Sequence, residues 1–368
     1  MRKKIFKNVE WSILICSVIL CAIGMIALFS ATHESGDNSL QKQIIWFWVC
    51  IPVVILVICI DYELIVKIAP YLYGIIVILL VAVLFTKPIN GASSWFDFKV
   101  FSFQPAELAK IIVVLTLASL MCKLQGKNRD DINKPKNLGI IFLVLLVPIA
   151  LILKQPDIGT ASAFLVAIAL MLYVSGIKKK YIIVTIILVA ISIPLLYYFI
   201  LPDHAVNRID VFLNPDLDPR GAGYNVRQSK LAIGAGQLFG MGLLKGNQTQ
   251  LGFLHPKTTD FIYSLIAEEM GFLVAAIIIV LYIVLITKAI YIAKTAKDDI
   301  GSYIAIGITG IFIFHMVENI GMTMGILPIT GVPLPFVSYG GSSLLTNFIL
   351  IGILLNISGR RQKAIFVE

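Results

Sequence analysis

The sequence predicts an all-α polytopic membrane protein with about ten transmembrane helices, and three observations carry that expectation. Hydrophobic residues make up 58% of the chain and charged residues only 14%, against roughly 45–50% and about 25% in soluble domains. The apolar residues gather into long uncharged runs, most of them near the ~18 residues that read as a membrane span. Basic residues are dense in every second connection between the runs and sparse in the others, as in loops on opposite sides of a bilayer.

The first run, 11–31, follows Arg2, Lys3, Lys4 and Lys7. It is long enough to span and lacks a small-residue cleavage site, so it reads as a retained helix rather than a signal peptide. Further spans are read at 44–60, 64–86, 105–122, 138–153, 159–177, 181–201, 261–287, 302–326 and 339–357. Residues 154–158, KQPDI, part the fifth span from the sixth; the proline and its polar neighbours make a tight hairpin there. All belong to one integral membrane domain, 1–368.

Ten spans bring both termini to one side, and the charges identify that side. The N-terminus, the C-terminal tail and the connections on their side carry 19 of the 30 Lys and Arg residues. Among these are Lys67, the group Lys123/Lys127/Arg129/Lys134/Lys136, Lys178–Lys180 and Lys288/Lys294/Lys297. The short loops opposite hold only Lys42, Lys87, Lys99 and Lys154. This asymmetry places both termini in the cytoplasm. The net charge of +9 therefore reads as loop charge beside a membrane, and nucleic acid is not expected as a partner. Cys16, Cys21, Cys50, Cys59 and Cys122 all fall in spans or at a span's end, which argues against a disulfide framework.

One connection differs from the rest. Residues 202–260, between the seventh and eighth spans, form a long extracellular loop rich in Gly, Pro, Asp and Asn. Long loops of this kind are commonly functional. It holds Phe212, Tyr224, Leu238, Phe239 and Phe253, so short amphipathic pieces folded back on the membrane face are expected.

Charge inside a bilayer costs about 2.5 to 3.5 kcal/mol on insertion scales, so polar groups in or at the spans are candidates for function. Glu107 and Lys110 share a helical face, as a structural ion pair or as a polar site lining a cavity. Asp157 precedes the sixth span and either caps it or joins a site. Asp260 precedes the eighth span with the same two readings. His315, Glu318 and Asn319 stack on one face of the ninth, as a buried hydrogen-bonded cluster or as a proton relay. No Walker loop, HExxH pair or CxxC pair occurs, and the glycines at 234–242 follow no strand, so dinucleotide binding is not expected.

The stretch 319–343, NIGMTMGILPITGVPLPFVSYGGSS, resembles the signature of the SEDS family (shape, elongation, division, sporulation) at essentially every specified position. Arg208, Phe212, Asn214-Pro215, Asp218-Pro219, Gly223-Tyr224-Asn225 and Gln228-Ser229-Lys230 are similar to the long loop of its rod-shape branch, the RodA proteins. The division and sporulation branches, FtsW and SpoVE, are the near alternatives. Thr259-Asp260-Phe261-Ile262 with Glu268-Glu269, Gly91-Ala92 with Trp95, Gln104-Pro105 with Glu107 and Lys110, and Gln155-Pro156-Asp157 also match. One departure is visible: where the family often has Leu-Pro-Glu, this chain has Leu254-His255-Pro256-Lys257, which removes that glutamate and makes the segment more cationic.

The resemblance implies a peptidoglycan glycosyltransferase with a membrane-embedded, GT-C-like architecture. Such an enzyme polymerises lipid II on the outer face of the bacterial cytoplasmic membrane, for cell elongation and rod shape. It implies a class B penicillin-binding protein as partner, with other membrane proteins of the elongation complex. It assigns the catalytic base to Asp260. Trp95, Glu107, Lys110, Asp157, Arg208, Lys230 and Ser338 are then expected at the substrate, and Arg220, Arg227, Lys245 and Lys257 are further cations for a diphosphate. A divalent cation, Mg2+ or Mn2+, belongs to the same expectation, with no ligand set readable in the sequence. A lipid II flippase and a non-catalytic scaffold are the rival readings, tested by transport in vesicles and by polymer formation from the pure chain.

Overall fold

The computed structural model describes residues 8–33, 36–87, 93–98, 102–126, 128–199, 203–219 and 221–361. The basic residues Arg2, Lys3, Lys4, Lys7, Lys99, Lys127, Arg220 and Lys363 and the pair Gly91-Ala92 lie outside them. Ten long helices occupy the ten expected spans. They are α1 (Trp11–Thr32), α2 (Ser39–Cys59), α3 (Tyr62–Val83), α4 (Pro105–Gln125), α5 (Pro135–Leu153), α6 (Ile158–Ser175) and α7 (Lys179–Phe199). Three short helices follow, α8 (Asp203–Leu213), α9 (Ala222–Ala235) and α10 (Asn247–Gln250). The last three long helices are α11 (Ile262–Thr295), α12 (Asp299–Thr323) and α13 (Gly341–Gly359). A two-stranded hairpin, β1 (Phe96–Asp97) with β2 (Ser102–Phe103), precedes α4.

Among the described residues, nine helices are long and apolar enough to cross a membrane; α7 fills the remaining expected span. The chain is a multi-pass membrane protein. The backbone amide of Glu10, before α1, donates to the Ser358 hydroxyl near the end of α13 at 3.1 Å. The first helix begins where the last one ends, as an even number of crossings requires.

Burial sorts the helices into a centre and a rim. In α4 and α13, 78% of the most apolar window is inside the protein, against 22% in α3 and α5. Apolar surface gains little by moving from lipid to protein, so the centre is held by close packing of small residues and by polar contacts. A methyl group on Gly310 of α12 would lie 2.8 Å from the Ala167 Cα of α6, and one on Gly24 of α1 would lie 2.4 Å from the Val337 carbonyl oxygen. At these points α12 meets α6, and α1 meets the connection before α13, backbone to backbone.

Helix α11 departs from the sequence expectation twice. It runs on to Thr295, so Lys288 and Lys294 ride on its last turns rather than in a loop. It is also broken at Gly271 (φ 79°, ψ −179°). A break inside a bilayer must have its backbone groups satisfied by protein, and the segment 236–242 does this. The Met241 and Gly242 amides donate to the Glu268 and Glu269 carbonyls at 2.9 Å, and the Phe272 amide donates to the Gln237 carbonyl at 2.9 Å. The Glu268 carboxylate then accepts the amides of Gln248 (2.7 Å) and Thr249 (3.1 Å) at the start of α10. The expected short helical pieces of the long connection are thus tied to α11 by its broken turn.

Replacing Gly24 by Val should force α1 away from Val337, at a cost of about 1–3 kcal/mol typical of overpacking. Gly74→Ala, where a Cβ meets nothing within 4 Å, should leave stability unchanged or raised by up to ~1 kcal/mol through helix propensity. Thermal unfolding of the two variants in detergent checks both.

Candidate active site

Asp157 and Asp260 both stand just before a helix, and the fold uses them differently. Asp157 is a cap. Its carboxylate accepts the Thr160 amide at 2.9 Å and the Thr160 hydroxyl at 2.8 Å, and Gln104 Nε2 donates to it at 3.1 Å. It therefore fixes the start of α6 to the start of α4. Asp260 is not a cap: the N-cap of α11 is Phe261, with no side-chain capping bond. Its carboxyl group is half-buried and turned toward the segment after α12, where a Cβ on Gly331 would lie 3.5 Å from Oδ2.

That segment belongs to the signature stretch, and side chains from several helices hold its backbone. Asn319 Nδ2 donates to the Val332 carbonyl at 2.8 Å and to the Asp260 carbonyl at 3.1 Å. Ser338 Oγ donates to the Thr259 carbonyl at 2.7 Å and accepts the Leu334 amide at 2.9 Å. The Tyr339 amide donates to the Thr258 carbonyl at 3.0 Å. Gln43 of α2 clasps the far end, giving Nε2 to the Ser338 carbonyl and taking the Gly340 amide on Oε1. The backbone on both sides of the Asp260 side chain is pinned.

Burial pushes the Asp260 carboxyl above the usual carboxylate range; a hydrogen bond with the Thr259 side chain and the charge of Arg208 pull it back in part. Arg208 of α8 and Lys230 of α9 line one cleft with Gly325, Leu327 and Pro328. Lys230 lies across Gly325, whose absent Cβ would be 2.6 Å from Nζ. Ser229, the next residue, is buried and holds α9 in place: its Oγ is 2.6 Å from the Thr323 carbonyl and 2.6 Å from Ser264 Oγ. Because a hydroxyl has one proton, Ser229 donates to the carbonyl and accepts from Ser264. The cleft is thus a notch with two cations, one of which, Arg208, acts through its charge on the Asp260 carboxyl group.

Not every residue expected at the substrate faces this notch. Ser338 is 5% exposed, with its hydroxyl committed to backbone. Glu107 and Lys110 are 3% and 0% exposed; Lys110 Nζ is 3.0 Å from the Glu107 carboxylate and 3.2 Å from His315 Nε2. They are an interior group rather than a cavity wall. Trp95 is half-buried, beside Ser94, whose hydroxyl donates to the Gln155 carbonyl at 3.1 Å, so it stands at the same end of the bundle. Arg227 pairs with Asp216, and Lys257 Nζ donates to the Thr249 carbonyl at 2.8 Å; Lys245 is exposed. Among the described residues, Arg208 and Lys230 are the expected cations that the fold brings to the notch. Sequence reasoning places Asn319 in a buried hydrogen-bonded cluster but does not foresee its hold on Val332 and Asp260, nor the clasp of Gln43, which lies far from the signature stretch in sequence.

A family model described as cell cycle protein, FtsW/RodA/SpoVE, matches residues 10–363. The peptidoglycan glycosyltransferase MrdB of Escherichia coli K12 is 42% identical over 296 residues, covering 80% of this chain and 78% of that one. The peptidoglycan glycosyltransferase RodA of Treponema pallidum is 31% identical over 98% of this chain and 100% of its own. A solved structure, described as structural coordination of polymerization and crosslinking by a peptidoglycan synthase complex, superposes with a TM-score of 0.82 at 27% identity. It covers 95% of this chain and 97% of the other.

A carboxyl group whose folded pKa lies above its unfolded value holds its proton more tightly in the folded state. Its ionisation therefore costs folding stability as pH rises from the ordinary range, ~3.9, through the raised value. Asp260→Asn should consequently unfold at a higher temperature than the unsubstituted protein at neutral pH. The gap should close as pH falls below the ordinary carboxylate range, read by thermal unfolding across pH.

Proposed function

The chain belongs to the FtsW/RodA/SpoVE family and is a peptidoglycan glycosyltransferase, and we propose that it polymerises lipid II with Asp260 as the general base. The observation that carries this reading is the uncapped, half-buried Asp260 carboxylate beside the Arg208–Lys230 notch.

The substrate is a disaccharide-peptide joined through diphosphate to a polyprenyl chain. Its lipid stays in the bilayer, so its reactive carbon lies near the membrane surface, at the level where α11 begins. A sugar hydroxyl of the acceptor attacks the anomeric carbon of the donor. The new C–O bond forms as the bond to diphosphate breaks, with the electron pair leaving on the phosphate oxygen. Asp260 accepts the hydroxyl proton, for which a position within hydrogen-bond reach and a pKa drawn toward neutrality are the requirements. Diphosphate needs charge stabilisation rather than a proton, and Arg208 and Lys230 supply it in a partly desolvated cleft. An α-linked donor and a β-1,4 product mean inversion in one displacement, so a single carboxylate suffices. Trp95 offers a ring for sugar or lipid at the same end, and Asp157 aligns the neighbouring helix ends.

Among the described residues, no group of three or more His, Cys, Asp or Glu side chains converges to hold a metal. A divalent cation would be carried in on the substrate's phosphate oxygens, since Mg2+ commonly takes few protein ligands beside phosphates, and it would add charge stabilisation at the diphosphate while Asp260 serves as the base.

The orientation follows from the lysine and arginine bias, 19 of 30 on the side of the termini. Both termini are cytoplasmic, and the site and the 202–260 loop lie on the outer face of the cytoplasmic membrane, within one integral membrane domain. A class B penicillin-binding protein that crosslinks the product is the partner, within an assembly serving cell elongation.

Polymerisation of purified lipid II tests the reading, with and without that partner. Asp260→Asn should lose about 10²–10⁴-fold in rate, the range for a positioned base. Arg208→Ala and Lys230→Ala should each lose about tenfold or more, as charge-assisted contacts of ~1.5–3 kcal/mol imply. Near-normal polymer from Asp260→Asn would remove the assignment, and lipid translocation without polymer under any condition would make the chain a transporter.

A further inference from the structure

His315 lies in α12, 2% exposed, with both ring nitrogens engaged. Nε2 is 3.2 Å from Lys110 Nζ and Nδ1 is 3.1 Å from the Pro333 carbonyl oxygen. The chemistry of the partners settles which nitrogen carries hydrogen. A carbonyl oxygen only accepts, so Nδ1 must donate; an ammonium only donates, so Nε2 must accept. The ring is the neutral Nδ1–H tautomer, selected by the bond made at its other nitrogen. Glu107, 3.0 Å from Lys110 Nζ, holds the ammonium in place.

The Pro333 carbonyl belongs to a segment that cannot satisfy itself. Residues 332–335 read Val-Pro-Leu-Pro, and the two prolines contribute acceptors without donors. Helices α11 and α12 supply the missing donors: Asn319 to Val332, His315 to Pro333 and Tyr282 to Pro335. The Leu334 carbonyl takes the amides of Val337 and Ser338. On either side of this segment stand Gly331, against the Asp260 carboxylate, and Ser338, bonded to the Thr259 carbonyl.

We propose that His315 is a positioning residue for the transferase reaction, with the buried Glu107–Lys110 pair serving to fix its tautomer. The pair keeps Nε2 free of hydrogen, Nδ1–H holds Pro333, and the held segment sets the Asp260 carboxylate in line with the acceptor hydroxyl. This assigns a purpose to a buried ion pair that does not face the substrate notch. The inference rests on Asp260 being the base.

The two nitrogens can be separated by substitution. In His315→Asn the side-chain amide NH₂ occupies the place of Nδ1, keeping the bond to Pro333 and losing the one to Lys110. In His315→Gln the polar atoms sit at the level of Nε2, keeping Lys110 and losing Pro333. Lipid II polymerisation by the full chain in membrane nanodiscs should show His315→Asn within about threefold of the unsubstituted kcat. His315→Gln should fall tenfold or more in kcat with KM within about twofold. Amide hydrogen exchange at Tyr339, whose N–H is given to Thr258, should quicken in the Gln variant only. Equal kcat in the two variants, or a loss in KM instead, would overturn the proposal. If His315→Gln does not fold, a tenfold loss in His315→Asn alone would overturn it and near-normal kcat would support it. Asp260→Asn run alongside separates the two readings: polymer from it rejects the base, whatever the His315 variants do.

Discussion

Backbone without regular structure, set in the end of a bundle where water is scarce, must find its hydrogen bonds in protein. The stretch from Gly331 to Tyr339 is under that constraint, and its two prolines sharpen it. The fold answers by aiming side chains of α11 and α12 at successive carbonyls and by seating Gln43 of α2 against the far end. Phe336, in the left-handed region at φ 68°, is wedged between Phe312 and Phe348 at ring distances of 5.8 and 5.3 Å. A bulky residue holds such a conformation only where its surroundings over-determine it. Once the stretch is fixed, so is Thr258–Asp260, because the two segments exchange hydrogen bonds through Ser338, Tyr339 and Asn319.

The same logic separates groups that hold from groups that act. Asp157, Ser229, Glu268 and Ser338 have partners that account for their polar atoms, and each joins one element to another. Asp260 has a carboxyl group that no helix end takes up, and it stays partly desolvated near Arg208. A carboxyl group kept partly desolvated costs stability when ionised, and such a cost persists at sites where the function requires it. Lys110 stands between these classes. It is buried and charged, and its partners are one carboxylate and one imidazole, so its influence reaches Asp260 through His315 and Pro333.

Much of the bundle was legible because a bilayer writes its thickness into the sequence as runs of uncharged residues. The ten spans and their helices differ by a few residues at most ends. The large miss, at Thr295, arises because α11 continues past the apolar stretch. The break at Gly271 was not legible, since a glycine in an apolar run does not announce which distant loop will enter there. Asp157 and Asp260 read alike in sequence, an acid before a span, and only the position of Phe261 as the cap of α11 tells them apart. Ser338 was expected at the substrate because it belongs to the signature, yet its hydroxyl points into the backbone. The contact between Lys110 and His315 joins residues 205 positions apart, and no periodicity reveals it.

The central claim is that the signature stretch serves catalysis by aligning Asp260. Steady-state polymerisation of lipid II by Ser338→Ala tests it most directly. The substitution removes one hydrogen bond that joins the stretch to the Thr259 carbonyl, just before Asp260, and a second one within the stretch, to the Leu334 amide, each worth about 1 kcal/mol. The account predicts a fall in kcat of about tenfold or more with KM within about twofold. A raised KM with unchanged kcat would mean that Ser338 binds substrate, and would contradict it.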